Sequence, residues 1–248
     1  PSDAVVIARP RPEDIANLSP EDLATRAFGT MALRIERARE DVNEFIELIG
    51  EVPGGGRMIQ DPAHRRWQDF WDTHQKSVLL APIGHGKTSA LRHRLLWMVG
   101  RNPNLQIAYI SATERHPKRV LRAWKAEVER NPRVKWVFPH LKRGKVWTTT
   151  DVEVVRTTID PNPTFQIYPA FSQSVLGSRA DIVVFDDLCN YGNTLTEYAR
   201  EKMAEWLGEV LSRLRAEARV MAIGHIWHDK DQLQRLAKKI GRASCRER

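Results

Sequence analysis

SVLLAPIGHGKTSALRH, residues Ser77–His93, runs from an apolar stretch through a glycine-containing turn into a segment with helical character. Gly86, Lys87 and Thr88 fill the last three positions of the G-x-x-x-x-G-K-[ST] phosphate-binding pattern, and the context is the one it requires, after a strand and before a helix. Ala81 holds the first position in place of glycine. That position only turns the chain out of the strand, so the exchange costs little. In such a loop the backbone N–H groups around Gly84, His85, Gly86 and Ser89 converge on phosphate oxygens at a helix N-terminus, Lys87 reaches the β- and γ-phosphates, and Thr88 offers its hydroxyl to Mg2+. The implied ligands are ATP and Mg2+.

A Gly-Lys-Thr can also arise by chance in an αβ turn, and a second motif argues against that here. ADIVVFDDL, Ala180–Leu188, is an apolar run ending in Asp186 and Asp187. At the tip of a buried strand the first carboxylate can bind Mg2+ and the second can orient or deprotonate an attacking water. The plainer alternative is a core strand meeting a solvated turn.

Outward from these motifs, strands are expected at Ser77–Ala81, Gln106–Ala112, Val152–Arg156, Phe165–Tyr168, Ile182–Asp186 and Arg219–Gly224, with helices at His64–Trp71, Lys87–Val99, Pro117–Glu129, Thr196–Arg215 and Asp231–Ile240. The alternation predicts an α/β fold with a parallel sheet flanked by helices, and with the two motifs the expectation is a P-loop NTPase of RecA-like kind. The strand LQIAYISAT lies between the two motifs in sequence, as suits ATPases in which a strand is inserted between the loop strand and the acidic strand. Upstream, Ser19 as N-cap, Pro20 at the first helical position and Asp22 in the first turn open a helical arm of one or two helices. Ala24, Phe28, Met31, Ile35, Val42, Phe45 and Ile49 recur along it at helical spacing. Gly50–Gly56 reads as a linker, dividing an arm (1–52) from the ATPase domain (53–240). The last eight residues, GRASCRER (241–248), carry no periodicity and read as a non-native or disordered tail.

With 248 residues, 42% hydrophobic and 28% charged, the chain is long enough to bury an α/β core. The net charge is +8. It is concentrated: from Arg115 to Lys145 eleven Lys or Arg face two Glu, a local +9. Such an excess favours acidic partners, nucleic acid foremost. On the Pro117–Glu129 helix, Val120, Leu121, Trp124 and Val128 make an apolar face while Lys118, Arg122 and Lys125 can point outward, to DNA phosphates, to a neighbouring subunit or simply to solvent. Two cysteines, Cys189 and Cys245, make neither a disulfide framework nor a zinc site and fit a reducing compartment. No apolar run approaches the roughly 20 residues that cross a bilayer, so no membrane partner is expected and the protein is placed in the cytosol.

The two motifs and their intervening text resemble the ATPase domain of tailed-phage large terminases, the motors that package DNA into capsids. The likeness runs from DPAHRRWQDFW to DKDQLQRL and takes in YISATERHPKRVLRAWKAEVERNPRVKWVFP, VLGSRADIVVFDDL and RVMAIGHIWHDKDQLQRL. It implies an ATP-hydrolysing, Mg2+-dependent motor acting on double-stranded DNA, with a portal or procapsid and a small terminase subunit as partners, a homo-oligomeric ring when assembled, and the host cell cytoplasm as its location. Gly224 and His225 match the coupling motif that senses the γ-phosphate, although His225 stands where the family commonly has Thr or Ser and Ile226 replaces an Arg. Taken instead with Trp227, His228 and Asp229, His225 matches no standard zinc spacing, and a capped strand-to-helix turn accounts for the stretch.

The family often carries an Arg inside the phosphate loop, and the matching residue here is Ile83. An arginine finger contributes about 10³–10⁵ in rate, so a substitute is needed for rapid hydrolysis. Arg179, in LGSRAD, is the candidate, acting on a neighbouring subunit's ATP; an exposed side chain or an ion pair with Asp181 is the alternative. Related ATPases place an adenine-reading glutamine ahead of the loop, for which Gln60 is the first candidate and Gln68 the second, while Trp67, Phe70 and Trp71 read as core. No acidic two-metal constellation follows Leu236, so the chain reads as the motor part alone, without DNA cleavage. Two other functions compete: a nucleotide-binding docking or assembly module with little turnover, and a helicase-like DNA translocase, which would need a second RecA-like domain.

Overall fold

The computed structural model describes residues 19–51, 56, 58–239 and 244–246. The Pro-rich start, residues 52–55 and 57 of the expected linker region, Ile240 and the remainder of the tail lie outside the described residues. One eight-stranded sheet organises the chain, in the order β3-β4-β5-β2-β6-β7-β1-β8. Its strands are β1 (Lys76–Leu80), β2 (Ile107–Ser111), β3 (Arg143–Trp147), β4 (Asp151–Val154), β5 (Phe165–Pro169), β6 (Ile182–Asp186), β7 (Arg219–Gly224) and β8 (Ser244–Arg246). The pairs β5/β2, β2/β6, β6/β7, β7/β1 and β1/β8 are parallel, while β3/β4 and β4/β5 are antiparallel.

Burial explains why the central strands are so apolar. A parallel sheet covered on both faces needs no polar alternation, and every residue of β2 and β6 is buried. Successive side chains still divide between faces. Leu79, Tyr109, Val184 and Met221 point into one core, Leu80, Ile110, Phe185 and Ala222 into the other.

The first core is covered by α1 (Pro20–Glu40), α2 (Val42–Ile49), α3 (Pro62–Thr73), α4 (Lys87–Arg101), α5 (Arg115–Arg130) and α6 (Pro132–Val137). The second is covered by α8 (Glu197–Ser212) and α9 (Gln232–Lys239), with the short α7 (Tyr191–Thr194) leading into α8. The Ser19 cap forms as expected, its hydroxyl accepting from Asp22 N–H at 3.1 Å. Trp67 and Trp71 are core residues, 1% and 0% exposed.

Four expectations change. The strand that separates β1 from β6 is β7; β2 (in LQIAYISAT) lies on the far side of β6, so its position between the motifs in sequence is not its position in the sheet. The helical arm is not separate, because Phe45, Ile46, Leu48 and Ile49 belong to the first core and Trp97 Nε1 donates to Ala38 O at 3.0 Å. Within the tail, Ser244–Arg246 forms a strand along β1. β3, absent from the sequence reading, is an exposed, basic edge strand of the kind that resists further pairing; Gly144 lets it approach β4, since a Cβ there would meet Glu153 O at 2.7 Å.

Candidate nucleotide and metal site

Parallel strands end together, so β1, β7, β6 and β2 deliver their C-terminal residues to one edge of the sheet, where α/β folds bind ligands. Beyond β1, Ala81 continues the ladder, its N–H donating to Gly224 O at 3.2 Å. It is not among the positive-φ residues, so no glycine is required at this position. The turn itself depends on Gly84 and Gly86, at φ 84° and 78°. Gly86 caps α4 without a side-chain acceptor, leaving the helix's first N–H groups to the loop. From α3, His64 Nε2 lies 2.8 Å from His85 O and braces the loop from outside. Ile83 stands at the tip, 74% exposed.

Lys87 folds back under the loop. Its ammonium donates to Ala81 O and Pro82 O, both at 2.7 Å. Burial lowers its pKa, while the charges of Asp187 and Asp186 pull the other way. The next residue joins the two motifs: Thr88 Oγ1 lies 3.2 Å from Asp186 Oδ2 and 3.4 Å from Oδ1.

Asp186 is fully buried, a position that demands hydrogen bonds. Besides Thr88, its Oδ2 accepts from the Tyr109 hydroxyl of β2 and lies 2.8 Å from His116 Nε2, in the first turn of α5. Burial, then the Asp186 charge, raises Tyr109 well above the ordinary phenol, keeping it a donor. His116 is raised by its bond to Asp186 against burial. Asp187 takes a left-handed backbone, φ 46°, and its carboxyl is 42% exposed. Burial raises its pKa and the Asp186 charge adds to the rise, with His225, His116 and Lys87 opposing. Ligand atoms of His116, Asp186 and Asp187 all lie within 4.8 Å of one another. The two carboxylates and the Thr88 hydroxyl form an oxygen set that fits a hard divalent cation such as Mg2+, with the His116 imidazole beside it.

Gly224 ends β7 against this cluster; a Cβ there would stand 3.7 Å from Asp187 Oδ1 and 2.5 Å from Leu233 Cδ1. His225 Nδ1 lies 3.5 Å from Asp187 Oδ1, and its buried Nε2 has no hydrogen-bond partner among the described residues. The following turn is capped by Asp231, whose carboxylate accepts from Trp227, His228 and Gln234 N–H groups. His228 and Asp229 join no metal cluster among the described residues.

Three sequence candidates stand elsewhere. Gln60 is buried against α2, its amide donating to Asn43 O and Oδ1 at 3.3 and 3.1 Å. Gln68 is enclosed between Ala90 O and Arg94. Neither amide is free to read a base. Arg179 is exposed just before β6, at the opposite end of that strand from Asp186, and Asp181 pairs with Arg215 at 3.2 Å rather than with Arg179.

The basic residues gather. Arg115, Lys118, Arg119, Arg122 and Lys125 on α5 face Thr148 and Thr149 across a groove of about 730 Å3. Arg122 is exposed, Lys118 pairs with Glu114 at 2.5 Å, and Lys125 donates to Trp147 O and Thr148 O at 3.3 and 3.0 Å.

His64, Tyr109 and His116 were not singled out by the sequence. The signals were a tyrosine in the middle of a buried apolar strand, and histidines in the first turns of helices adjoining the motifs.

Overlay on the HK97 bacteriophage large terminase matches 79% of this chain with 39% of that one, at a TM-score of 0.51 and 17% identity. The Thermus phage P74-26 large terminase ATPase domain covers 73% of this chain and 68% of its own (TM-score 0.47, 18% identity). Saccharomyces cerevisiae Dbp5, bound to Nup159, Gle1 and ADP, covers 76% and 48% (0.47, 15%). No protein-family model and no curated protein matches the chain. The HK97 overlay establishes a shared fold, the mostly parallel α/β sheet flanked by helices. The match covers well under half of the HK97 terminase chain.

Proposed function

We propose that the chain is the ATP-hydrolysing motor domain of a phage terminase large subunit, moving double-stranded DNA into a procapsid. The observation that carries this reading is the meeting of Thr88 and Asp186 at 3.2 Å beneath a loop with two left-handed glycines and a buried lysine. The shared fold with the HK97 terminase and the basic groove on α5 support it.

Loop N–H groups and Lys87 hold the β- and γ-phosphates. Thr88 and Asp186 would hold Mg2+, which supplies charge neutralisation on those phosphates. Asp187 orients the attacking water and accepts its proton, a task suited to a carboxyl raised by burial beside another acid. His225, touching Asp187, and Gly224, packed against α9, link the site to the following helix. Lys118, Arg122 and Lys125 contact DNA phosphates irrespective of sequence. The portal, the small terminase subunit, a homo-oligomeric ring and the host cytoplasm follow from the same reading, as does Arg179 acting on a neighbouring subunit's nucleotide.

Phosphate release with and without DNA, for the wild type and for Lys87→Ala and Arg179→Ala at assembling concentrations, tests the proposal. Hydrolysis abolished by the first change and reduced by the second supports a motor. A second reading, a nucleotide-binding docking module, is favoured by the exposed Ile83 at the loop tip, which offers no charge. Tight nucleotide binding without turnover, even with DNA and procapsid, would select it.

A further inference from the structure

We propose that His116 is a positioning residue of the metal site, which with Tyr109 occupies Oδ2 of Asp186 and leaves Oδ1 for a cation. The inference rests on the nucleotide-site reading above and assigns a role to a side chain outside both sequence motifs.

The two carboxylate oxygens are unequally engaged. Oδ2 meets Tyr109, His116 at 2.8 Å and Thr88 at 3.2 Å. Oδ1 has one hydrogen-bond contact among the described residues, the longer one from Thr88 at 3.4 Å. A carboxylate so loaded on one oxygen is fixed in rotation and presents the other. Because Oδ2 is an acceptor, His116 must direct an Nε2–H toward it. That proton removes the Nε2 lone pair from any cation, and hard divalent ions prefer oxygen donors. His116 thus acts through Asp186, as outer partners of metal-ligating carboxylates do.

The fold accounts for the meeting. β2 lies beside β6, so the chain leaving β2 enters α5 directly above the end of β6. The first turn of α5 then hangs His116 over Asp186. The imidazole is one-third exposed, so replacing it leaves both cores intact.

The test is Mn2+ binding, followed by electron paramagnetic resonance, to the full chain with a non-hydrolysable ATP analogue. His116→Ala should weaken Mn2+ binding by about tenfold, the lower end of outer-shell effects. His116→Gln, whose amide can donate from a similar place, should recover most of that loss. Tyr109→Phe should weaken it in the same sense. Analogue affinity in EDTA and the melting temperature of both His116 variants should match the wild type. Equal Mn2+ affinity in the wild type and His116→Ala overturns the proposal. So does nitrogen modulation of bound Mn2+ that vanishes in His116→Ala, because the ring would then be a ligand. If the wild type binds neither analogue nor Mn2+, the nucleotide-site reading falls first.

Discussion

Thr88 and Asp186, 98 positions apart in the chain, face each other with Oγ1 at 3.2 Å from Oδ2. The hydroxyl sits in the first turn of α4 and the carboxylate at the tip of β6, and β7 runs between β6 and β1 in the sheet. Two elements that are not adjacent strands are thereby joined across the width of a third. The gap between them has the oxygen chemistry of a divalent-cation site.

Replacing Thr88 by Val keeps the volume and removes the hydroxyl. A hydrogen bond to a charged group contributes about 1.5–3 kcal/mol, so Mg2+-dependent nucleotide affinity should fall by at least tenfold. Affinity without Mg2+ should change little. Calorimetric titrations with Mg2+ and with EDTA separate the two, and an equal loss in both would place Thr88 on the phosphates rather than the metal.

The loop glycines and Ala81 should behave oppositely. Gly86→Ala forces a Cβ into φ 78° and to 3.4 Å from His64 Nε2. The left-handed backbone alone costs about 1–2 kcal/mol. Nucleotide affinity and melting temperature should both drop. Ala81→Gly restores the residue usual at that position, yet should leave nucleotide affinity unchanged, because Ala81 already bonds Gly224 O in ordinary backbone geometry.

What could be read from the sequence was what is local. Lys87, Thr88 and Asp186 stand out as candidates because a buried strand followed by a fixed pattern needs no knowledge of neighbours, and the structure brings Thr88 and Asp186 together. Tyr109 and His116 could not be assigned, because their contacts with Asp186 exist only once β2 lies beside β6, and strand order is not written in any one segment. The same gap hid β7 as the strand between β1 and β6. Gln60 looked available for adenine since its partner, Asn43, belongs to a helix that read as a separate arm. β3 has no alternation in RGKVW; it forms through pairing with β4 and through Trp147, whose ring lies 6.5 Å from that of Trp124.

Reversing charge at Arg122 and Lys125 should weaken DNA binding and flatten its dependence on salt. Each phosphate contact contributes about 0.9 to the slope of log K against log salt, so losing two should reduce the slope by roughly 2. DNA-stimulated hydrolysis should fall in parallel, with hydrolysis in the absence of DNA unchanged. Filter binding across a salt series decides it; an unaltered slope would make the groove a solvated face.

Gly224→Ala should separate binding from turnover. Its Cβ would lie 2.5 Å from Leu233 Cδ1, so α9 must shift or the Asp187 side must yield. Overpacking of this kind costs about 1–3 kcal/mol of stability. Nucleotide affinity, set by the loop and Lys87, should survive, whereas kcat should drop as Asp187 and His225 lose their register.

Acid stability should depend on Glu127, on α5. Burial alone would raise its carboxyl, but the contacts with His93, Asn131 and Arg92 outweigh that and hold it to about 2, against an ordinary 4.5. Asn131 Nδ2 donates at 2.7 Å and Arg92 Nη1 at 3.3 Å, while His93, itself lowered by burial, stands at 3.8 Å, beyond hydrogen-bond reach. The folded value is depressed, so the stabilisation is fully present above 4.5 and disappears as pH falls toward 2. Urea unfolding between pH 2 and 6 should therefore show stability dropping steeply with acid in the wild type and more shallowly in Glu127→Gln. Identical slopes would mean that the carboxylate is no better held in the folded chain than in the unfolded one.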